Sequence, residues 1–517
     1  MSGGQLTVAV EAEPTGWNPL TDPCNEACSA VRNAFFEPLV DYDAGGAVKP
    51  FVAESITPNQ DGSEWTLTLR AGVTFSNGAA VTAQAISDLF TMLRGEGSLV
   101  ASRLAGLSEV VVSDPLTVTF KLAGPDTGFA DQLTTIPVFD PTAAAADPGA
   151  FSSSPVGTGP FVVSSWDRGS QLVASRNSSY WRKSASGVSL PYLDGITFRF
   201  IPDEDARLAS LEAGDVDVIQ TLRESTVRRA GEVTGVVVES FQGNQSTGGV
   251  FNTAKAPTDD LRVRKGLTAL LDQAALIDVL GGAGISEPAT QHFARSSPFW
   301  SQAAADNYTI SDTERGTAWL KEYIDDPARS DGKDPGSPIQ VEFNCLPDPS
   351  LTEMSQAIQA LWQQTGQVEV KLNTLESAAH IAAVVGSDPD YAGSFQVACW
   401  RNGSQADPST VQTNYSATAG NPANFHNEVD EDILSWFEAA KRETDRATRA
   451  GYFQRIFARV DERAYFYYLG HTVSALGALA AGQCVGRVDA ARWERRVWPP
   501  ERRRQMAGGM GLGMTCG

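Results

Sequence analysis

Short apolar runs of strand length alternate with amphipathic helical stripes along this chain, and that alternation restricts it to an α/β architecture. The clearest strand lies at residues 64–70. Trp65, Leu67 and Leu69 fall on one face and Glu64, Thr66 and Thr68 on the other, a period of two that requires one buried face. Asp61-Gly62 supplies the turn before it. Thr82 then opens a helix whose Ile86, Leu89, Phe90 and Leu93 form a core-facing stripe. Val110 to Leu122 returns to strand character and reverses at Ser113-Asp114-Pro115. The first strand, Leu6 to Val10, delivers a polar loop from Glu11 to Pro19.

At 517 residues the chain exceeds what one hydrophobic core holds, so two or more lobes are expected. Ser152 to Pro160 is rich in small residues, Gly and Pro, and reads as a connection between lobes. Phe161–Trp166 and Gln171–Ser175 read as paired strands, and Asp203–Ala213 as a helix closed by Gly214. In Gly248 to Asn252 two glycines flank a strand, where backbone can approach another group closely. From Asp260 to Leu280 the pattern is helical. Val341–Cys345, Val368–Leu372 and Phe395–Cys399 then alternate with helical segments such as Met354–Gln363, which predicts a second α/β lobe. Two amphipathic helices follow, with Asp445 as the cap between them, and Tyr465–Leu469 is the last strand.

A formal charge of −22 and a pI near 4.6 argue against nucleic-acid binding, which needs a basic face. No apolar run reaches the length of a membrane span. No leader precedes the first strand, so the chain is either cytoplasmic or numbered without a removed leader. Cys24 and Cys28 are four apart, and Cys345 and Cys399 each end a strand. Buried free thiols and one or two local disulfides both fit that pattern. From Arg487 onward arginines cluster before a Gly/Met run, and residues 487–517 read as an atypical tail.

The signatures of common chemistries are missing. His292, His380, His426 and His471 sit in no metal-ligand spacing, and no GxSxG, P-loop or post-strand GxGxxG appears. Gly281-Gly282-Ala283-Gly284 follows a helix and reads as its stop. No cofactor and no metal are expected.

Five segments in register resemble the family 5 extracellular solute-binding proteins of ABC importers, the peptide, dipeptide and nickel binders. They are Phe36-Glu37-Pro38-Leu39-Val40; Asp61-Gly62-Ser63-Glu64-Trp65 onward to Phe75; Pro155-Val156-Gly157-Thr158-Gly159-Pro160-Phe161 with Tyr180-Trp181; Tyr192-Leu193-Asp194 with Leu211-Glu212-Ala213-Gly214-Asp215-Val216-Asp217; and Phe251-Asn252 with Asp260-Leu261-Arg262-Val263-Arg264. The resemblance implies a two-lobed clamshell of the periplasmic-binding-protein type, class II, with an extra subdomain. Residues 1–49, 151–251 and 465–486 would form lobe I, 50–150 the extra subdomain and 252–464 lobe II, with hinge crossings near Asn252 and Tyr465. It also implies a non-enzymatic monomer outside the cytoplasm, in the periplasm or on the cell surface, with a lipoprotein anchor as one option. Such a protein captures a peptide or small-molecule ligand by hinge closure and delivers it to an ABC permease and ATPase complex.

The expected ligand contacts are Glu13, Trp17 and Asn18 in the first loop, Gly249, Phe251 and Asn252 on the glycine-flanked strand, His292, and Trp400, Arg401, Asn402, Gly403 and Asp407. Trp400 would stack on the ligand and Arg401 fork onto a carboxylate. The sequence departs from peptide-binding relatives at one point. They place an aspartate for the ligand's α-amine shortly after this tryptophan, whereas here the next acid is Asp407, which matches the family's later Asp-Pro. Glu11, Glu13 or Glu37 would have to substitute, or the ligand is an oligosaccharide, an opine-like compound or a metal chelate. A hydrolase on a lobed α/β scaffold is the rival from another class, and a sensor or adhesion module is a further one.

Overall fold

The computed structural model describes residues 3–24, 26–43, 47–184, 187–347, 349–385, 393–401, 407–408 and 426–479. The tail from 487 lies outside them. Contacts divide the chain into two units. The first holds the chain up to Leu222, Thr226–Phe241 and the chain from Ser474, and the second holds Arg223–Ser225 and Gln242–Val473.

In the first unit Gln5–Val10 lies parallel to Gly195–Phe200 and to Val218–Thr221, while Phe161–Asp167, Gln171–Arg176 and Gly195–Phe200 form an antiparallel run. A separate antiparallel sheet, Ala53–Pro58, Glu64–Leu69, Thr117–Leu122 and Leu107–Asp114, carries the alternating segment. Its Trp65, Leu67 and Leu69 are buried, and the helix Ala83–Leu93 covers them with Ile86, Leu89, Phe90 and Leu93. Thr82 caps that helix by accepting from the Ala85 amide at 3.1 Å.

Ser152–Pro160 is not a connection between the units. It lies inside the first one, where Gly159 packs so closely that an added Cβ would sit 2.6 Å from the Ala34 carbonyl oxygen. The glycines there serve close packing rather than flexibility.

The second unit is built on a sheet buried on both faces. Ile339–Cys345 runs parallel to Val368–Thr374 and to Val397–Arg401, and the last of these pairs antiparallel with Thr247–Phe251. Alternate residues go to opposite faces. Phe251, Val397, Cys399, Tyr467 and Leu469 join one core with Leu267, Leu320, Met354 and Trp362, whereas Val250, Ala398, Phe466 and Tyr468 join another with Ile433, Phe437, Ile456 and Phe457. The helices Leu261–Ala269, Thr313–Ile324 and Pro349–Gln363 contribute to the first core, and Glu431–Arg442 and Arg446–Glu462 to the second.

Apart from the short excursion at Arg223–Ser225, the chain passes between units within two long strands, Val236–Phe251 and Phe466–Leu479. Asn252 and Tyr465, the expected crossing points, fall inside the second unit, because they flank the ends of these strands and the changeovers lie within the strands, after Phe241 and after Val473.

Both disulfides form, which settles the cysteine question against free thiols. Cys24–Cys28 lies in the first unit and Cys345–Cys399 in the second.

Candidate functional site

In the first unit the loop after the first strand is clamped onto a hairpin. Glu13 accepts from the Trp166 indole N–H and from the Gly169 amide, both at 2.8 Å, and Arg168 lies over the Trp166 ring while donating to the Thr15 carbonyl at 3.1 Å. Trp17 is 1% exposed, its ring 5.2 Å from Trp166 and 5.5 Å from Phe35. Asn18 is buried, accepts from the Leu20 amide and holds the loop's turn through its own carbonyl. Glu13, Trp17 and Asn18 are thus brought together, and their contacts go to the loop and its support.

Glu37 is fully engaged as well. Its carboxylate accepts from the Tyr180 hydroxyl at 2.5 Å and from the Trp181 indole at 2.8 Å, so it is not poised for a ligand amine.

In the second unit the glycine-flanked strand does approach another group closely, but that group belongs to the protein. A Cβ on Gly249 would fall into the Tyr467 ring and 2.5 Å from the Ala398 carbonyl oxygen. Phe251 is core, with its ring 5.6 Å from Tyr467. Asn252, just beyond the strand, is a clamp: its side-chain NH2 donates to the Phe395 carbonyl at 2.9 Å and its side-chain oxygen accepts from the Ala254 amide at 2.9 Å.

His292 lies 1% exposed in the aromatic core, edge-on to Phe293 and stacked on Phe457. Burial, with a smaller contribution from His471, pushes its pKa down to about 3, so it is neutral at physiological pH. Among the described residues no group of three or more His, Cys, Asp or Glu side chains could hold a metal ion. Asp407 forms a buried two-pronged ion pair with Arg449, whose guanidinium also lies over Phe453. Asp407 therefore anchors the helix Arg446–Glu462.

The edge at Trp400 is different. It lies near the end of Val397–Arg401, one residue beyond the disulfide-bonded Cys399, and is only half-buried. Its ring stacks on His380 with centroids 6.3 Å apart and an interplanar angle of 21°, and His380 Nε2 lies 3.0 Å from the Cys399 carbonyl oxygen. Burial lowers the His380 pKa, so the stacked partner is also neutral. Arg401 follows in the strand; Asn402 and Gly403 lie outside the described residues.

Sequence reasoning did not single out a small hollow on the same sheet, lined by Glu224, Thr247, Ile277, Leu280, Ser286 and Gly470. Thr247 pairs in register with Arg401, and the Ser286 hydroxyl donates to Glu224 at 3.0 Å. Glu224 is the first residue of the helix Glu224–Glu232 and belongs to none of the segments that the sequence marks.

Comparison with known proteins gives one consistent picture. The model of the bacterial extracellular solute-binding proteins, family 5 middle region, matches residues 47–424. The chain is 28% identical over 377 residues to the nickel-binding periplasmic protein of Escherichia coli K12, covering 68% of this chain and 69% of that protein. It is 27% identical to the glutathione-binding protein of Salmonella paratyphi A, an alignment covering 56% of each. Among solved structures it is similar to the Bacillus subtilis oligopeptide-binding protein AppA, in complex with a nonapeptide (TM-score 0.79, 19% identity, 97% of this chain and 98% of that one). It is also similar to the agropinic acid complex of a binding protein from A. tumefacien R10 (TM-score 0.78, 21% identity, 92% and 93% coverage). These structural likenesses establish the two-lobed periplasmic-binding fold.

Proposed function

We propose that this chain, which belongs to the bacterial extracellular solute-binding proteins of family 5, captures oligopeptides or dipeptides outside the cytoplasm and delivers them to an ABC permease and its ATPase. The observation that carries the ligand assignment is the Trp400–Arg401 strand end. A large aromatic kept half in solvent, held flat by a neutral histidine and braced by a disulfide, is a preorganised stacking platform. In this reading Arg401 takes a carboxylate and Glu224 in the neighbouring hollow takes the cationic group that the Trp400 loop has no aspartate to bind. The working state is a monomer, capture is by hinge closure, and a lipid anchor is one means of retention at the cell surface.

A second reading is favoured by Asp407. Since Arg449 already occupies that acid, a solute without an α-amine fits as well: an opine-like compound, an oligosaccharide or a metal chelate.

Native mass spectrometry of the purified protein separates the two. A ladder of peptide masses supports the first, and a single non-peptide mass replaces it with the second. Trp400→Ala is expected to weaken retention of the co-purified solute about tenfold or more with unchanged circular dichroism, the loss typical of a buried aromatic anchor. Unaltered retention would remove Trp400 from the site.

A further inference from the structure

One buried carboxamide in the first unit has no partner within the protein. Among the described residues Asn18, Asn177, Asn252, Gln273, Gln291 and Asn344 are buried, and each spends its side chain on at least one hydrogen bond. Gln220 is 2% exposed and makes none: neither its Oε1 nor its Nε2 is hydrogen-bonded. A buried amide unpaired at both ends is costly, so a fold that keeps one pairs it with something outside the chain.

The backbone of Gln220 is fixed while its side chain is unspent. It lies in Val218–Thr221, which pairs parallel with Gln5–Val10 and antiparallel with Phe466–Leu479, where Gln220 stands opposite Leu476. Its carbonyl accepts from the Arg207 guanidinium Nε at 2.9 Å. Alternation along the strand sets Ile219 on the side of Ala9, Leu208 and Leu211, and Gln220 on the other side with Val218, where Val8, Val10 and Leu476 are core. Continuing the register of Val8 with Val218 and Ala9 with Ile219 brings Gln220 level with Val10, the last residue of its strand. The amide thus lies at the carboxyl rim of the parallel strands and not in the middle of the sheet. Solutes of open α/β sheets bind outside that rim. The chain also leaves the first unit just beyond Gln220, after Leu222, and returns to it at Ser474, just before Leu476. Strand rim, chain crossing and unspent amide coincide at one residue.

We propose that the Gln220 carboxamide binds the main chain of the captured solute. Nε2 donates to a carbonyl and Oε1 accepts from the N–H of the same residue of an extended peptide, which presents both groups on one side. The rotatable bonds of the side chain let the amide reach past Val10 while the strand keeps its pairing. The inference rests on the peptide reading above and adds recognition of the peptide backbone by the first unit. Such a contact reads no side chain of the solute and therefore tolerates many peptide sequences.

The test uses the full chain as wild type, Gln220→Met and Gln220→Leu, which keep the bulk and remove the amide. Each protein is freed of co-purified solute by unfolding in guanidinium and refolding. The probes are tetra-alanine and its analogues in which one peptide N–H at a time is replaced by an ester oxygen, titrated by thermal shift. Without a probe both variants should melt above wild type, because an unpaired buried amide has given way to an apolar chain. Both melting below it would mean that the amide has a partner inside the protein, and would overturn the proposal. Tetra-alanine should bind wild type about tenfold or more tighter than either variant. One ester analogue should bind wild type about tenfold more weakly than tetra-alanine does and show no such loss in the variants. Equal affinity of all three proteins for tetra-alanine, or an ester penalty of the same size with and without the amide, would leave Gln220 only a bound water and sink the contact. Native mass spectrometry of the proteins as purified keeps the two ideas apart. Peptide masses retained equally by wild type and variants sink the Gln220 contact alone, whereas a single non-peptide mass on wild type sinks the peptide reading and this contact with it.

Discussion

Breaking the Cys345–Cys399 disulfide should destabilise one unit and leave the other untouched. Cys345 ends its strand and Cys399 sits in the middle of one that pairs with it in parallel, Phe343 with Val397 and Asn344 with Ala398, so the register itself brings the sulfurs together. Their sequence separation is 54, and closing a loop of that size removes roughly 14 cal/mol/K from the unfolded chain, about 4 kcal/mol at 25 °C. The Cys24–Cys28 bridge spans only 4 residues, and the same relation gives about 2 kcal/mol. The perturbations are Cys345→Ala with Cys399→Ala, and Cys24→Ala with Cys28→Ala. Each unit has its own cores, so one global unfolding free energy is not well defined and the assay must resolve segments. Hydrogen exchange across a guanidinium series does so. Strands Ile339–Cys345, Val368–Thr374 and Val397–Arg401 should lose about 4 kcal/mol of protection in the first double variant, while Glu64–Leu69 and Thr117–Leu122 keep theirs. An equal loss in both units, or a loss below about 1 kcal/mol in the second, would refute the chain-entropy reasoning.

Three further outcomes follow from buried groups. Asp461 is buried with neither oxygen hydrogen-bonded among the described residues, and burial pushes its carboxyl well above the usual range. A folded pKa above the unfolded one means its stability contribution is full below about pH 4 and is lost as pH rises. Asp461→Asn should therefore stabilise the protein at neutral pH by on the order of 2 kcal/mol and flatten the stability profile from pH 4 to 8, measured by thermal melts; a lower melting temperature at pH 8 would count against this. Asp407→Ala leaves Arg449 buried without its carboxylate and should cost about 3–5 kcal/mol in chemical denaturation, with Asp407→Ala/Arg449→Met recovering part of it. Gly249→Ala drives a methyl into Tyr467 and the Ala398 carbonyl and should cost about 2 kcal/mol or more, read as faster exchange in the second unit only.

Much of the fold was legible because it depends on local pattern. The alternation at Trp65, Leu67 and Leu69, the stripe from Ile86 to Leu93, and the caps at Thr82 and Asp445 each follow from the period or chemistry of adjacent residues. Strand lengths were not legible. Val236–Phe251 and Phe466–Leu479 continue through Gly, Ser and Thr positions that read as breaks, because ladder pairing and burial on two faces outweigh local propensity there. The partner of a close-packing glycine was not legible either. Gly249 announces that something comes near, and only the tertiary register identifies it as Tyr467 rather than a solute. For the same reason a lone acid such as Asp407 reads identically whether its partner is a ligand amine or Arg449, which lies 42 residues away.

The residues that carry the family resemblance turn out to hold the scaffold, and this has a consequence for specificity. Glu37 binds Tyr180 and Trp181; Asp260 caps Leu261–Ala269 and pairs with Arg262; Arg264, buried, donates to the carbonyls of Thr258, Asp259 and Arg463. Glu37 and Arg264 join distant pieces of chain through buried polar contacts, which are costly to leave unsatisfied, while Asp260 fixes the start of its own helix. None of them reaches toward a solute. In the proposed capture reading, ligand choice then falls to positions that no motif marks, such as the half-exposed Trp400 and Glu224 in its hollow. Relatives that share the motifs are then free to differ in ligand, as the nickel-binding and glutathione-binding proteins do. Exchanging the unmarked positions, rather than the motifs, should change what is bound without changing the fold.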